Sequence, residues 1–485
     1  MGGPAAPAVQ LDSPISPYFQ YCLNATDTNI VPESLERVVS HVKILKTIVV
    51  LLPVVMSASA ANAQDLAEEI TELRRVLAEV RQDYESRIND LEERLTRAER
   101  MAQGARRDAD EAFEIAEQTA IDQSAGTSAA NTFNPAIGAV LVARLADLDN
   151  GWEDIPGFLP SGETGPGSSG FSLGESEINF NAIVDSNFFG NLTLAVESED
   201  GETEIGLEEA WIQTTGLPYG ATVTAGRFFS ESGYLNKFHR HADDFVDRPL
   251  PYQAFFGGQY IADGLQGRWV VPAPLLVELG VEFNWSGGYP ATANEDTSPG
   301  AVTLFTNIGG DIGMSNSWQF GVSWLSVDVK ERESGVPGDS FSGDSDLGIV
   351  DFVWKWAPGG NPTLTNLKVQ AEYFHRSEDG VFGGLDYNDD QMGWYLQGVW
   401  QFAQRWRGGY RHDVVDVDNG SLPMGTILED PGRSSKRDSL MLDWSPSEFS
   451  RLRVQYARDQ VLPETDTQWF LQYIMSIGAH GAHEF

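Results

Sequence analysis

From residue 136 onward, apolar and polar side chains alternate along segments of strand length. In the segment 275–286, every second residue from Leu275 to Trp285 is apolar, whereas Glu278 and Glu282 lie on the opposite face. A period of two residues predicts β-strands with one apolar face. Sixteen segments are candidate strands, with clear alternation in most of them and an ambiguous phase in the first: 136–147, 173–186, 188–199, 203–215, 220–230, 258–271, 275–286, 300–313, 317–331, 345–357, 365–376, 390–403, 405–417, 435–445, 449–461 and 465–478.

The connections between these segments alternate between short and long. Tight turns are predicted at 186–187, 217–219, 272–274, 315–316, 358–364, 404 and 445–448. Longer loops are predicted at 148–172, 231–257, 287–299, 332–344, 377–389 and 418–434, with 200–202 and 462–464 as short exceptions. Short periplasmic turns and long external loops are typical of outer-membrane barrels.

Aromatic residues separate the membrane barrel from other all-β folds. Tryptophans lie near strand ends on the apolar face, where they would meet the membrane interface: Trp354, Trp356, Trp394, Trp400 and Trp444. A β-sandwich or propeller has no need of such a band. Barrel closure also satisfies every backbone N–H and C=O group within lipid. We therefore predict an all-β membrane fold, a 16-stranded antiparallel transmembrane β-barrel over residues 136–485.

The segment before the barrel contains an export signal. In residues 42–63, Lys43 and Lys46 precede an apolar stretch at 48–56, and the small residues of Ala61-Asn62-Ala63 form a cleavage site. Residues 1–41 have no periodicity, and we expect translation to begin at Val42. Residues 1–63 are thus predicted to be absent from the mature protein, which we expect in the outer membrane of a Gram-negative bacterium.

Residues 64–123 have the heptad pattern of an α-helical coiled coil. Apolar residues recur at alternating steps of four and three from Leu66 to Ala116, without any proline. We predict that this N-terminal helix lies in the periplasm and joins three chains, and that residues 124–135 form a polar linker. The alternatives are an amphipathic helix that packs against or inside the barrel, and a tether that reaches towards the cell wall.

Composition excludes several functional classes. The formal net charge is −39, from 71 acidic and 32 basic residues, which argues against nucleic acid and against an anionic membrane surface as partners. The one cysteine, Cys22, falls in the segment predicted to be removed. The sequence has no nucleophile-elbow, zinc-protease or phosphate-loop motif, so we predict no enzymatic activity.

The connection at 231–257 is the longest loop between predicted strands and is rich in charge. Between the fifth and sixth strands, such a loop is placed to fold inward and narrow a pore. Opposed acids and bases in it would select solutes by charge. The candidate constriction residues are Lys237, His239, Arg240, His241, Asp243, Asp244, Asp247 and Arg248. The alternative is a loop that packs over the rim and selects nothing.

Charged residues on the strands are expected to face the lumen, because a charge on the lipid face near mid-bilayer costs about 2–4 kcal/mol. The predicted pore-lining residues are Arg405, Arg407, Arg411, Arg451, Arg453, Lys355, Lys368, Glu278, Glu282 and Glu372, with Arg268 as a further candidate. The arginines and lysines could guide anions, whereas the net charge favours cations slightly. Ion preference therefore stays open.

Two histidine pairs are candidate ligands for a divalent metal such as zinc. His239 and His241 precede Asp243 and Asp244 in the predicted constriction loop, and His480 lies near His483 at the end of the chain. The two pairs would lie on opposite sides of the membrane, so they would not share one ion. Hydrogen-bonding roles are the alternative, and loop carboxylates could instead bind calcium-like ions that bridge lipopolysaccharide.

Three stretches resemble known families. The run LEEAWIQTTGLPYGATVTAGRFF at 207–229 resembles the phosphate-selective porin O and P family. The runs at 233–260 and 477–485 resemble outer-membrane proteins often labelled zinc-regulated or TonB-dependent receptors. The first resemblance implies a sixteen-stranded trimer with passive diffusion, and the second implies uptake of a metal or another solute.

Three functions follow as hypotheses: a homotrimeric porin for small hydrophilic solutes or ions, an uptake protein for a metal ion or metal complex, and a coiled-coil envelope tether. Outer-membrane lipid and lipopolysaccharide are the expected surroundings in each case.

Overall fold

The structure is a computed structural model, and it describes residues 74–75, 78, 81–82, 135–159, 164–199, 202–285, 288–291, 298–336, 338–418 and 425–478. The chain divides into two compact units, Met1–Thr127 and Ser128–Phe485. The described residues of the first unit are helical and exposed. Among the described residues, no helix is both long and apolar enough to cross a bilayer.

Sixteen antiparallel strands close into one barrel in the second unit. Each strand pairs with its neighbours in the sequence, and the first strand pairs with the last, where Gly138 lies opposite Gly478 and Leu148 opposite Gln468. The strands are β1 (Ala136–Leu148), β2 (Gly170–Ile183), β3 (Phe188–Glu199), β4 (Glu202–Thr214), β5 (Ala221–Phe229), β6 (Ile261–Val270), β7 (Leu276–Asn284), β8 (Ala301–Ile312), β9 (Asn316–Glu333), β10 (Ser340–Trp356), β11 (Asn366–Phe382), β12 (Leu385–Ala403), β13 (Trp406–Asp418), β14 (Ser435–Ser447), β15 (Ser450–Asp459) and β16 (Asp466–Gly478).

Alternation along each strand separates an apolar outer face from an inner face. In β16, Trp469, Leu471 and Tyr473 are exposed on the outside, whereas Gln468 and Phe470 are buried inside. The same contrast recurs around the wall and gives the barrel a continuous outer band of exposed apolar side chains. Such a band is the surface that a transmembrane barrel presents to lipid. The predicted 16-stranded antiparallel barrel is confirmed.

The largest errors in the predicted strands lie at one end of β10, β11 and β12. The connection predicted at 377–389 is not a long loop, because β11 and β12 continue through it to a tight turn at Gly383 and Gly384, both with positive φ. Most exposed residues there are polar, as at Asp379 and Asp386, although Val381 and Leu385 beside the turn are apolar. The strands are 17 and 19 residues long, whereas about 9–11 tilted residues span a bilayer. Their ends therefore lie in water and lose the apolar alternation.

Of the described connections that fold into the barrel, one carries a helix. It runs from β5 to β6 and contains a 3₁₀ turn, Arg240–Ala242, and one helix, α1 (Leu250–Phe256). Helix α1 follows Pro249 and ends at Gly257, whose left-handed φ of 64° lets its N–H donate to Gln253 O. Every residue of α1 is buried. The apolar core of the molecule thus lies inside the barrel, around this helix.

Several predictions concern residues outside the described part of the chain. They are the export signal and residues 1–63, most of the coiled coil at 64–123, most of the linker at 124–135, and the His480 and His483 pair. These remain predictions.

Candidate functional site

The loop at 231–257, called the inner loop below, crosses the lumen and is held by the wall from its first residues. On β7, the Glu282 carboxylate accepts hydrogen bonds from the Ser230 hydroxyl at 2.6 Å and from the Glu231 N–H at 2.9 Å. On β9, Ser323 Oγ accepts from the Gly233 N–H at 3.0 Å. Acids and hydroxyls on the strands thus replace the strand partners that this backbone lacks.

A second anchor is Glu372 on β11. Its carboxylate accepts from the backbone N–H groups of Tyr234 at 2.9 Å and Leu235 at 3.2 Å. It also accepts from the Tyr252 hydroxyl at 2.9 Å and from the Tyr395 hydroxyl. Glu372 is 2% exposed, so it ties α1 and the start of the inner loop to the wall and does not meet solutes.

Ion pairs hold the middle of the inner loop against β13, β14 and β15. Asp247 accepts from Arg411 at 3.1 Å, from Gln455 at 2.8 Å and from Arg437. Arg453 donates to the backbone O of Asp243 at 2.8 Å. Burial by itself would raise the pKa of Asp247, but Arg437 and Arg411 outweigh it and hold that pKa below its usual value. The carboxylate is therefore charged at neutral pH.

Asp244, also in the inner loop, pairs with cations on β11 and β13. It lies 2.5 Å from Lys368 Nζ and 3.0 Å from Arg407 Nη1. Burial favours its neutral form, but these two cations outweigh burial, so the pKa of Asp244 is lower than usual. Lys368 and Arg407 keep about a quarter of their side-chain surface exposed, at 24% and 22%. Their positive charge therefore reaches water.

These contacts correct the predicted pore lining. Arg411, Arg453 and Glu282 point inward as predicted, but with 0–1% exposure they lie under the inner loop and line no open passage. The same holds for Glu372. Glu278 is 8% exposed and accepts from Arg268 at 2.9 Å. Strand alternation predicts which side chains point into the barrel. It does not predict which of them a loop inside the lumen will cover.

Other predicted residues lie where water reaches them. Lys355, Lys368, Arg407 and Arg451 are half-buried on the inner wall. Arg405 differs, because β13 begins at Trp406, so Arg405 lies exposed in the preceding turn and not on the predicted strand.

Two cavities lie beside the inner loop. One of about 600 Å³ opens towards the short turns, and its charged lining residues are Asp244, Asp311, Lys355, Lys368 and Arg407. The other, of about 210 Å³, lies against β1, β2 and β16 and is lined by Arg144, Glu175, Glu197, Arg240 and His241 among others. The inner loop contributes Asp244 to the first cavity and Arg240 and His241 to the second, so its charged side chains face water on both sides.

The apolar core closes much of the remaining lumen. Phe255 of α1 stacks on Phe374 of β11 at a ring-centroid distance of 5.7 Å and meets Phe158 edge-on at 5.5 Å. Phe158 belongs to the connection between β1 and β2, which also buries Trp152 and Ile155. Two loops and the wall thus share one core.

His239 and His241 meet carboxylates, but not those predicted from the sequence. His239 Nδ1 lies 2.9 Å from Glu177 Oε2, and His241 Nδ1 lies 2.6 Å from Glu177 Oε1. His239 Nε2 lies 3.2 Å from Glu209 Oε2. Burial alone would lower the pKa of His239, but Glu177 and two further glutamates hold it well above its usual value.

Asp243 and Asp244 take no part in this cluster. Asp243 accepts from Arg248 Nε at 3.0 Å, and Asp244 pairs with the wall cations described above. Asp243 and Asp244, which follow the histidine pair in the sequence, are therefore not its carboxylate partners, because the turn at Arg240–Ala242 directs the two histidines to β2 and β4.

Sequence reasoning missed several residues of this site. Glu208 and Glu209 are both buried, although neighbours in a strand normally face opposite sides. A β-bulge, seen as a register shift between β3 and β4 at Thr193 and Leu194, brings both inward. Arg437 was missed as well. Alternation along β14 could have assigned it to the inner face, because Lys436 and Leu440 lie at positions of the opposite parity, which are exposed on the outer face.

No family model matches the chain. Solved structures similar to it include the outer membrane channel DcaP of Acinetobacter baumannii, with a TM-score of 0.48, 13% identity and coverage of 71% of this chain and 97% of that chain. The anion-selective porin from Comamonas acidovorans has a TM-score of 0.46 and 9% identity, and covers 71% of this chain and 99% of its own.

A relative by sequence is an uncharacterized protein of Aquifex aeolicus (strain VF5). It is 30% identical over 339 residues, which are 65% of this chain and 70% of the relative. With that identity over most of both sequences, the protein belongs to the same family as the Aquifex aeolicus protein.

Proposed function

We propose that the protein is a passive outer-membrane channel for small hydrophilic solutes, narrowed by the inner loop. The observation that carries the proposal is a closed barrel with an apolar outer band, crossed inside by a charged loop that borders water-accessible cavities. An apolar outer face suits lipid, and a polar interior with charged rings suits selective permeation. The short turns then face the periplasm and the long loops face the exterior.

We further propose that the constriction favours anions, despite the net charge of −39. Several acids of the inner wall accept hydrogen bonds from the inner loop, as Glu282 and Glu372 do, and Asp443 instead pairs with the wall residue Arg453. In the cavity at the short-turn end, Lys355, Lys368 and Arg407 face Asp311 and an Asp244 carboxylate that two cations already neutralise. The accessible charge that lines this cavity is therefore positive in sum. Because salt screens charges over about 10 Å, this local charge acts on a passing ion more strongly than the distant acidic loops do.

Planar-bilayer recording tests both parts. Purified protein should insert with discrete conductance steps, and a salt gradient should give a reversal potential of the sign that anion flow requires. Lys355→Gln should reduce that potential, whereas Lys436→Gln, on the outer face of β14, should leave it unchanged. Electrically silent insertion contradicts the channel, and a cation-selective reversal potential contradicts the preference.

We also propose a homotrimer joined by the coiled coil predicted at 64–123. Deleting that segment should convert a cross-linked trimer into monomers without loss of the barrel. Loss of envelope attachment with trimers intact would instead favour the tether.

Metal uptake is the second candidate function, because His239 and His241 meet carboxylates beside a cavity. Receptors of the TonB-dependent kind have about 22 strands, whereas this barrel has sixteen. The strand number therefore favours a passive channel in which a metal would have a local role.

A further inference from the structure

The cluster between the inner loop and the wall combines nitrogen and oxygen ligands from two strands and one loop. Ligand atoms of Glu177, His239 and His241 lie within 4.8 Å of one another, and so do those of Glu175, Glu177 and Glu208. Zinc binds imidazole nitrogen and carboxylate oxygen at about 2.0–2.2 Å, so neighbouring ligand atoms around it lie about 3–4 Å apart. Small side-chain rotations would bring the present atoms to that spacing.

We propose that Glu177, His239, His241 and Glu208 bind one zinc-like divalent transition metal ion, which clamps the inner loop to β2 and β4. Imidazole ligands distinguish such an ion from calcium and magnesium, which prefer oxygen. The two imidazole rings stack with their centroids 5.5 Å apart, and both Nδ1 atoms face the same carboxylate. One ion can bind both imidazoles only if their ligating nitrogen atoms point to the same place, as these two Nδ1 atoms do.

Glu208 supplies an independent observation. Its side chain is 95% buried, because its relative exposure is 5%. Its Oε2 atom is directed into the cluster, where it meets His239 Nδ1 in a long ion-pair contact of 3.4 Å without hydrogen-bond geometry. A buried carboxylate oxygen with only so long a contact to an imidazole is poorly compensated, because ionised groups lose their hydration on burial. Coordination to a cation would remove that cost.

The surroundings of His239 match those of a metal ligand. Ligating histidines usually donate their other ring N–H to a carboxylate, which fixes the tautomer. If Nδ1 of His239 ligates, its Nε2 faces Glu209 Oε2 at 3.2 Å. Glu209 is itself oriented, since it accepts from Asn191 at 3.0 Å and from Trp211 at 3.0 Å.

The acidic surroundings of the cluster and its access to water also suit a bound metal ion. Four glutamates converge here, Glu175, Glu177, Glu208 and Glu209, and Arg240 pairs with Glu175 at 3.2 Å. The cavity of about 210 Å³ reaches Glu175 and His241, so an ion can approach from water. The metal site stands on this geometry alone, whereas its effect on permeation rests on the proposed channel function.

The test uses full-length protein without a histidine tag, stripped with a chelator and titrated with zinc chloride by calorimetry. All proteins carry His480→Gln and His483→Gln, which removes the C-terminal pair. We expect one zinc ion per chain, unaffected by excess calcium. Glu209→Gln should weaken binding by about 10–100-fold, and His239→Gln with His241→Gln should abolish it.

The matched control is His412→Gln. His412 Nδ1 lies 2.8 Å from Asp438 on the outer face of the barrel, so its loss should leave zinc binding unchanged. Because the double histidine variant could fold poorly, Glu208→Gln is measured in parallel, and heat-dependent migration in gels reports barrel formation for each protein. Zinc binding of parental affinity in the double histidine variant, or no zinc binding by the parent, overturns the site.

Single-channel recording separates the clamp from the channel. Zinc should reduce current noise in the parent and leave the double histidine variant unchanged. Zinc that binds without any effect on the noise of an open channel refutes the clamp. A protein that binds zinc but conducts no current contradicts the proposed channel function and leaves the metal site intact.

Discussion

Replacing Asp247 by asparagine tests whether buried ion pairs hold the inner loop in the lumen. Asp247 is the one residue of the inner loop, among those the structure describes, whose carboxylate contacts both Arg411 and Arg437. Both arginines are fully buried, so neither can regain water when the carboxylate charge is lost. The amide of asparagine keeps the size of the side chain and removes the charge, which isolates the electrostatic effect.

The expected cost follows from the partners that remain. Breaking a buried pair by removing one member usually costs about 3–5 kcal/mol, because a charge is left uncompensated. Arg411 keeps Asp413 at 2.9 Å and Arg437 keeps Asp459 at 2.8 Å. The cost should therefore fall near the lower limit, about 3 kcal/mol. A cost of this size shifts the equilibrium between the attached and the detached middle of the inner loop about a hundredfold towards the detached state.

Bilayer recording measures the consequence. Asp247→Asn should show a larger or noisier open-channel current, because the middle of the inner loop leaves the wall more often. Asp418→Asn changes the same residue type at an exposed position at the end of β13 and should behave as the parent does. If Asp247→Asn conducts with the parental amplitude and noise while its barrel is intact, the ion pairs do not position the inner loop.

Two further predictions use the outer face and the pH. Leu396→Arg places a charge in the apolar band and should destabilise the barrel by about 2–4 kcal/mol in urea unfolding from vesicles, whereas Asp386→Arg on the same strand beyond the lipid should have little effect. Because the folded-state pKa values of Asp244 and Asp247 lie below the usual value, their stabilising effect is complete above the unfolded-state pKa of about 3.9 and is lost as the pH falls below it. The open-channel noise that reports attachment of the middle of the inner loop should therefore be steady from about pH 8 to about pH 5 and rise only below about pH 4; a rise in that noise near neutral pH would contradict this.

The barrel could be predicted from the sequence because lipid imposes a simple rule on every strand. In β7, Leu279 and Phe283 are exposed and Glu278 and Glu282 are buried, as alternation predicts. The rule failed where lipid ends, since the outer residues of β11 and β12 near Gly383 face water and no longer need to be apolar. Alternation thus predicts the part of each strand that crosses the lipid, but it does not predict where the strand ends.

The site resisted prediction because its contacts join residues far apart in the chain. Asp247 and Arg437 are 190 residues apart, and His239 meets Glu177 only after the inner loop has folded across the lumen. Alternation states that Arg411 faces inward, but whether it meets water or the inner loop depends on where that loop lies. The bulge that turns both Glu208 and Glu209 inward is likewise a local departure from the rule.

Helix α1 should contribute more to holding the inner loop than the ion pairs do. A buried ion pair roughly balances its own desolvation, whereas burying one large apolar side chain contributes about 1.5–3 kcal/mol, and Leu250, Phe255 and Phe256 are each at most 1% exposed. Phe255→Ala should therefore cost about 3–5 kcal/mol and release the inner loop, with a large rise in conductance and in protease cleavage near α1. Asp247→Asn should alter current noise without such cleavage. Equal cleavage in both variants would mean that charge, not the apolar core, keeps the inner loop inside the barrel.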